Sequence, residues 1–380
     1  ANSLALNLAG ITRASTDPAG GTIERDPVSR EPTGILVDAA MDQITRHIPE
    51  PTPEERFQAA MAATRHAAAL GVTSVQYSGG MEEFQALQDL ERRGALATRV
   101  YMLLPPAERH WLPNQAAAPT EPQPMVRLGA VKLFADGSLG ARSALFFEPY
   151  EDAPETCGLA MQSEEELCRR VADIDAAGQQ VALHAIGDRA VHWALNAFER
   201  AAQANGRRDA RHRVEHAQAV RPEDRVRFAR LGVIASIQPY HCIDDMRWVE
   251  RRLGGRCVNA YPYQSLARAG TRLALGTDWP VEPLDPMLAL YAAVTREFPS
   301  GGPSGGWYPG ERVRLEQALA DHTQGSAFAE FADHRKGTLC PGQLADFALL
   351  SEDILALPPR QLLETRVVAT VVGGQVVYEA

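Results

Sequence analysis

Residues 180–201 read QVALHAIGDRAVHWALNAFERA, and this stretch decides the fold. Its first part, QVALHAIGD, is an apolar run that predicts a buried strand. Asp188 can cap the helix RAVHWALNAFERA that follows. The same pairing recurs in both directions along the chain. Upstream, Thr52 can cap a helix with Pro53 at its first position and Glu54 and Glu55 in its first turn; it runs to Leu70 and stops at Gly71. GVTSVQYS is then a strand, 81–93 a helix, TRVYMLL a strand, and GAVKLFADGS another before a long loop and a helix over 163–177. Downstream, HRVEHAQ, GVIASIQP and TRLALGTDWP read as strands, each followed by helical or irregular sequence. Short apolar strands alternating with helices mean βα units and a parallel sheet.

About seven such strands precede residue 280, and none carries a glycine-rich phosphate loop. An α/β fold of the (β/α)8 TIM-like barrel type explains the rhythm, with its first strand missing from the region before residue 71. The gap is expected to be filled by a strand from residues 1–50, by another chain, or by nothing. Only GILVDAAM in that region looks strand-like. Residues 1–335 are therefore assigned to the barrel. Residues 336–380 are β-rich, with Gly373-Gly374 between two β-branched runs, and form the C-terminal part of a small β-sandwich.

Composition narrows the function. The chain has 380 residues, 45% hydrophobic and 23% charged, which suits a globular protein with a sizeable core. Its formal net charge of −10 leaves no broad basic field for nucleic acid or an anionic membrane. No apolar run is long enough to span a bilayer. The five cysteines are scattered without a CxxC pair, which fits a reducing, cytoplasmic setting. Lysine is nearly absent: the chain has only Lys132 and Lys336, and Lys132 sits inside an apolar strand.

In a barrel the active site is built at the C-terminal strand ends. The polar residues there are Lys132 and Asp136 in AVKLFADG, His184 in VALHAIGD, His216 in RVEHAQ, Gln238 in SIQP, and Asp278 in ALGTDWP. Two histidines and an aspartate suit a divalent metal such as zinc. An ammonium repels a cation, so Lys132 could join them only when deprotonated or carboxylated to an anionic carbamate. The plainer readings are a turn for Asp136-Gly137, a helix cap for Asp188, and a structural hydrogen bond for His212. His47, His66, His110, His192, His322 and His334 fall in helices or loops and read as solvated or locally bonded.

This ordered set, with VKLFADGSLGARSALFFEPY, ALHAIGDRAV, HRVEHAQ, ALGTDWPVEPLDP and KGTLCPGQLADFALL around it, resembles the amidohydrolase superfamily. It is most similar to amidohydrolase family 3, the YtcJ-like metal-dependent hydrolases that include N-substituted formamide deformylase. The resemblance covers essentially the whole chain. It implies one or two divalent metal ions, most simply Zn2+. It also implies a carboxylated Lys132, metal ligation by His184 and His216, and Asp278 as both ligand and proton shuttle. The implied activity is metal-dependent hydrolysis of a carbon–nitrogen bond other than a peptide bond, in an amide, formamide or cyclic amide. His241, Arg142 and Trp279 are candidates for orienting the substrate: a carbonyl for His241, an anionic group for Arg142, an apolar wall for Trp279. The expected partner is a small-molecule amide, with a homodimer as a possible assembly.

One departure stands out. The family carries a His-x-His pair at the end of its first barrel strand, and no His-x-His occurs in this chain. If the family layout holds, an N-terminal portion on the order of one hundred residues is missing, and this chain alone is expected to show little hydrolysis. A catalytically silent barrel, or a one-metal deaminase with a plain lysine, are the competing readings.

Overall fold

The computed structural model describes residues 1–112 and 124–380. Two strands, β1 (Gly21–Arg25) and β2 (Pro32–Asp38), form an antiparallel hairpin that pairs only with itself. Seven parallel strands follow: β3 (Ser74–Ser78), β4 (Arg99–Leu104), β5 (Val126–Phe134), β6 (Gln180–Ala185), β7 (Arg213–His216), β8 (Ile234–Ile237) and β9 (Leu273–Leu275). They lie side by side in sequence order. Three antiparallel strands close the chain: β10 (Phe347–Leu350), β11 (Val367–Val372) and β12 (Gln375–Glu379).

The helix Pro53–Ala69 forms as its ends dictate. Thr52 Oγ1 accepts from Glu55 N at 3.2 Å, and Glu55 Oε2 accepts from Thr52 N at 2.7 Å. This reciprocal pair satisfies two donors that a helix start leaves bare. Asp188 lies one place past the expected cap: Gly187 is the N-cap and Asp188 sits in the first turn of Asp188–Asn205. At Gly373-Gly374, φ values of 60° and 78° make the tight turn of the β11–β12 hairpin, a conformation glycine adopts without steric cost.

Strand alternation sorts the sheet's two faces. Val131, Leu133, Val181, Leu183, Val214, Ile237 and Leu275 point outward into one large core with the surrounding helices. Tyr101, Leu103, Ala130 and Ala182 point inward and fill the centre. Small residues and one ring suffice there, because the interior of such a sheet is a packed core.

The sheet does not close strand to strand: among the described residues nothing pairs along the outer edges of β3 and β9. The region before residue 71 supplies a separate hairpin instead. Its first strand, GTIER, escaped the sequence reading because polar residues interrupt its pattern. A helical stretch over 315–329 bridges the two edges. Ser326 Oγ donates to Leu275 O of β9 at 3.0 Å, while Ser326 O accepts from Gln76 Nε2 of β3 at 2.7 Å. Gly325 permits this approach, since a Cβ there would stand 2.2 Å from Leu273 O.

The following residues plug the N-terminal end of the sheet. Ala329 O accepts from Gln180 Nε2 at 2.9 Å, and Glu330 bonds Arg127 at 2.8 Å and also Lys336. The three-stranded sheet docks on the helix Pro53–Ala69 through Thr370 Oγ1, which donates to Ala68 O at 2.6 Å. Arg99 at the start of β4 grips Asp346 beside β10.

Candidate metal centre

The centre begins from Lys132 and His184, which share the inward face of β5 and β6 with Ala130 and Ala182. His216 reaches the same space by a different route. Along β7, Arg213 and Glu215 form an ion pair on the inward side, so simple alternation would aim His216 outward with His212. His212 does face outward. Its ring stacks on Phe198 with centroids 5.0 Å apart, its Nδ1 accepts from Val181 N, and its Nε2 donates to Asp175. His216 instead takes φ of 75°, followed by Ala217 at 44°. This left-handed pair re-aims the ring toward His184, with centroids 4.6 Å apart. Asp278 is also left-handed, at φ of 60°. Such strain clusters where a site requires it.

His216, His241 and Asp278 form one compact set: their ligating atoms all lie within 4.8 Å of one another. His241 Nε2 and Asp278 Oδ2 are 3.7 Å apart. Two ligands each ~2.1 Å from a tetrahedral ion stand roughly 3.4 Å apart, so this separation needs little adjustment.

The hydrogen bonds set the tautomers. His216 Nδ1 donates to Gln238 Oε1 at 2.8 Å, which leaves its Nε2 lone pair free. His184 Nε2 donates to Gly137 O at 3.0 Å, which leaves its Nδ1 lone pair free. His241 Nδ1 meets the Gln218 amide at 3.2 Å. Two buried atoms flank that contact without partners, Gln218 Oε1 and His241 Nε2. Turning the amide over lets Oε1 accept from His241 Nδ1–H and leaves the Nε2 lone pair facing Asp278. A metal ligand needs that arrangement, so the residues present fit a divalent ion.

Electrostatics agree. Burial, reinforced by the Lys132 charge, holds His184 down at about 3. Burial alone holds His241 at about 4, and burial with the neighbouring His184 holds His216 well below its usual value. All three are neutral at neutral pH, as ligands must be. Burial raises Asp278 and lowers Lys132. The Lys132 ammonium lies 4.7 Å from the centre of the Phe134 ring.

The loop beneath is held by Asp136. It is fully buried and accepts from Leu145 N, Ile186 N and Gly187 N at 2.8, 3.0 and 2.8 Å. It thereby ties the end of β5 to the end of β6 and is more than a local turn. Gly137 lets the N-terminal hairpin close over this point: a Cβ would meet Ser143 Oγ at 2.2 Å and Asp38 Oδ1 at 2.9 Å.

The structure thus brings Lys132, His184, His216 and Asp278 together and sets His241 beside them as a further group able to hold an ion. Gln218 and Gln238, which orient His241 and His216, complete the centre. Gln238 was visible as a strand-end residue; Gln218 carried no signal beyond its place after His216. Two candidates stay apart. Arg142 is paired through Nε and Nη2 with both oxygens of Asp152, which occupies the guanidinium expected to meet an anion. Trp279 is 44% exposed and rests against His66, ring centroids 5.8 Å apart. His322, read as solvated or locally bonded, has a buried Nε2 without a partner.

The profile of the amidohydrolase family matches residues 1–378. This chain belongs to the amidohydrolase family. It is 39% identical over its whole length to Protein LONG AFTER FAR-RED 3 of Arabidopsis thaliana, covering 67% of that protein. It is 36% identical, again over its whole length, to the putative amidohydrolase YtcJ of Bacillus subtilis (strain 168), covering 72% of that protein. Among solved structures, an uncharacterized metal-dependent hydrolase from Pyrococcus horikoshii OT3 superimposes with a TM-score of 0.77 at 31% identity. That match covers 94% of this chain and 70% of the other. This amidohydrolase is accordingly a metal-dependent hydrolase with an α/β barrel-type sheet. Among its described residues no helix is long and apolar enough to cross a membrane.

Proposed function

We propose that this amidohydrolase cleaves a carbon–nitrogen bond in a small amide, formamide or cyclic amide, with one divalent ion held by His216, His241 and Asp278. The observation that carries the reading is the orphaned His241 Nε2, buried and turned toward Asp278 beside His216. When bound there, a zinc ion would polarise a carbonyl and make its water acidic enough to deliver hydroxide near neutrality. The protein's own residues do the rest. Asp278 takes a proton from the attacking water and returns it to the leaving amine. Gln238 and Gln218 hold the two histidine rings in register. Lys132, its ammonium destabilised by burial, has more neutral amine available than an exposed lysine. That amine can add carbon dioxide with loss of a proton, giving an anionic carbamate beside His184.

A panel of N-formyl and N-acetyl amines, incubated with the zinc-loaded protein, tests the reading. Release of free amine that disappears in D278N and H241L is the expected result. Undiminished amine release in both variants would refute it.

A further inference from the structure

The two glutamines that orient His216 and His241 are themselves held by one short stretch, Tyr261-Pro262-Tyr263. Both of its phenols are buried, Tyr261 completely and Tyr263 at 1% exposure. A buried phenol needs a partner for its hydroxyl, and each of these finds one beside the centre. Tyr263 Oη donates to Gln238 O at 3.1 Å. That same carbonyl accepts from His241 N at 3.2 Å, while the Gln238 side chain accepts from His216 Nδ1. Tyr261 Oη donates to Asp245 at the end of the helix Pro239–Asp245, about one turn beyond His241. Tyr261 N donates to Gln218 O at 2.5 Å, on the backbone of the residue whose amide meets His241 Nδ1.

The stretch is fixed from behind in turn. Tyr261 holds φ of 51°, left-handed like His216 and Asp278 and unfavourable for a bulky side chain. Its carbonyl accepts from Tyr263 N at 2.9 Å and from Arg296 Nη1 at 3.0 Å. Arg296 is fully buried, and its Nε donates to Trp307 O at 2.7 Å. Its Nη2 is buried without a partner. A guanidinium buried against carbonyls is unfavourable unless its charge is matched. A strained tyrosine and a costly buried arginine thus converge on the peptide that carries both phenols.

We infer that Tyr261 and Tyr263 are positioning residues of the metal centre: their hydroxyls fix the helix of His241 and the Gln238 carbonyl, and so keep both imidazole rings with their Nε2 lone pairs free for an ion. Groups that orient a ligand from behind strengthen metal binding because the ring is already aimed before the ion arrives. The inference rests on the zinc-site reading for its metal readout, whereas the ring orientation can be read without metal.

Y261F and Y263F each remove one hydroxyl. Y101F is the control, since the buried Tyr101 donates to Gln180 Oε1 at 2.9 Å, at the opposite end of the sheet. Long-range 1H–15N spectra of the metal-free protein report the tautomer of each ring. In the unmodified chain and in Y101F, His216 and His241 should each show one tautomer, protonated on Nδ1. Y263F should average His216 between tautomers, and Y261F should average His241. Zinc affinity is measured by competition with a chromophoric chelator, below the unfolding transition of each variant. It should fall on the order of tenfold in Y261F and Y263F, and by less than about twofold in Y101F. A tyrosine whose removal leaves its ring in a single tautomer, or leaves zinc affinity unchanged, has no such role. Averaging in Y101F as well overturns the inference for both. Averaged rings in variants of a chain that binds no zinc leave the positioning role standing and count against the zinc site alone.

Discussion

The two ends of the parallel sheet are built from similar residues and treat them in opposite ways. At the N-terminal end the inward polar groups are paired. Arg213 is bonded to Glu215, Gln76 and Ser236. Glu330 receives Arg127 and Lys336, Lys336 also donates to Ser74, and Gln180 bonds Tyr101 and Ala329. At the C-terminal end, His241 Nε2 is buried with nothing to bond, and burial holds the three neighbouring rings neutral. A buried polar group without a partner costs about 1–3 kcal/mol. One end of the sheet stabilises the fold. The other carries groups that only a ligand satisfies.

Disrupting the saturated end should have the largest effect. Glu330→Ala leaves Arg127 and the buried Lys336 without their carboxylate. The expected loss is about 3–5 kcal/mol in denaturant unfolding, with zinc binding retained below the transition. Asp136→Asn comes next. An amide can accept from only one side, so at least one of the three backbone donors it now serves is left bare. A loss of about 1–3 kcal/mol is expected, together with weaker zinc binding as the end of β6 loosens. His241→Leu sharpens the contrast from the other side. It removes a buried group that has no partner on Nε2, and metal-free stability should change by less than about 1 kcal/mol. A large loss of stability in this variant, measured in the same titration, would place His241 among the structural groups.

Several of these features were legible in the sequence. The alternation of apolar strands with capped helices gave the parallel sheet, because each strand is short and buried on both faces. The Thr52 capping box and the Gly373-Gly374 turn could be read locally, since their partners lie close in sequence or their residue types permit little else. Lys132, His184, His216 and Asp278 were found as polar residues ending apolar runs. What escaped depended on distant partners or on backbone conformation. The left-handed turn at His216 reverses the face that alternation assigns, and no residue type announces it. Arg142 looked free until the fold brought Asp152 against it. Asp136 serves backbone donors in two other segments, a role hidden in an Asp-Gly pair that also suits a turn. The bridge between the sheet's two edges is a helical turn around Ser326, where strand logic predicts only a strand or a gap.

The central claim is that His216, His241 and Asp278 constitute one metal site whose third ligand is His241. Zinc content by plasma mass spectrometry, after metal stripping and reloading at neutral pH, tests it most directly. About one zinc per chain is predicted for the unmodified protein, with losses in H216A, H241L and D278A and retention in H212L, whose ring faces the outer helices. Full zinc occupancy in H241L, or its loss in H212L alone, would contradict the account.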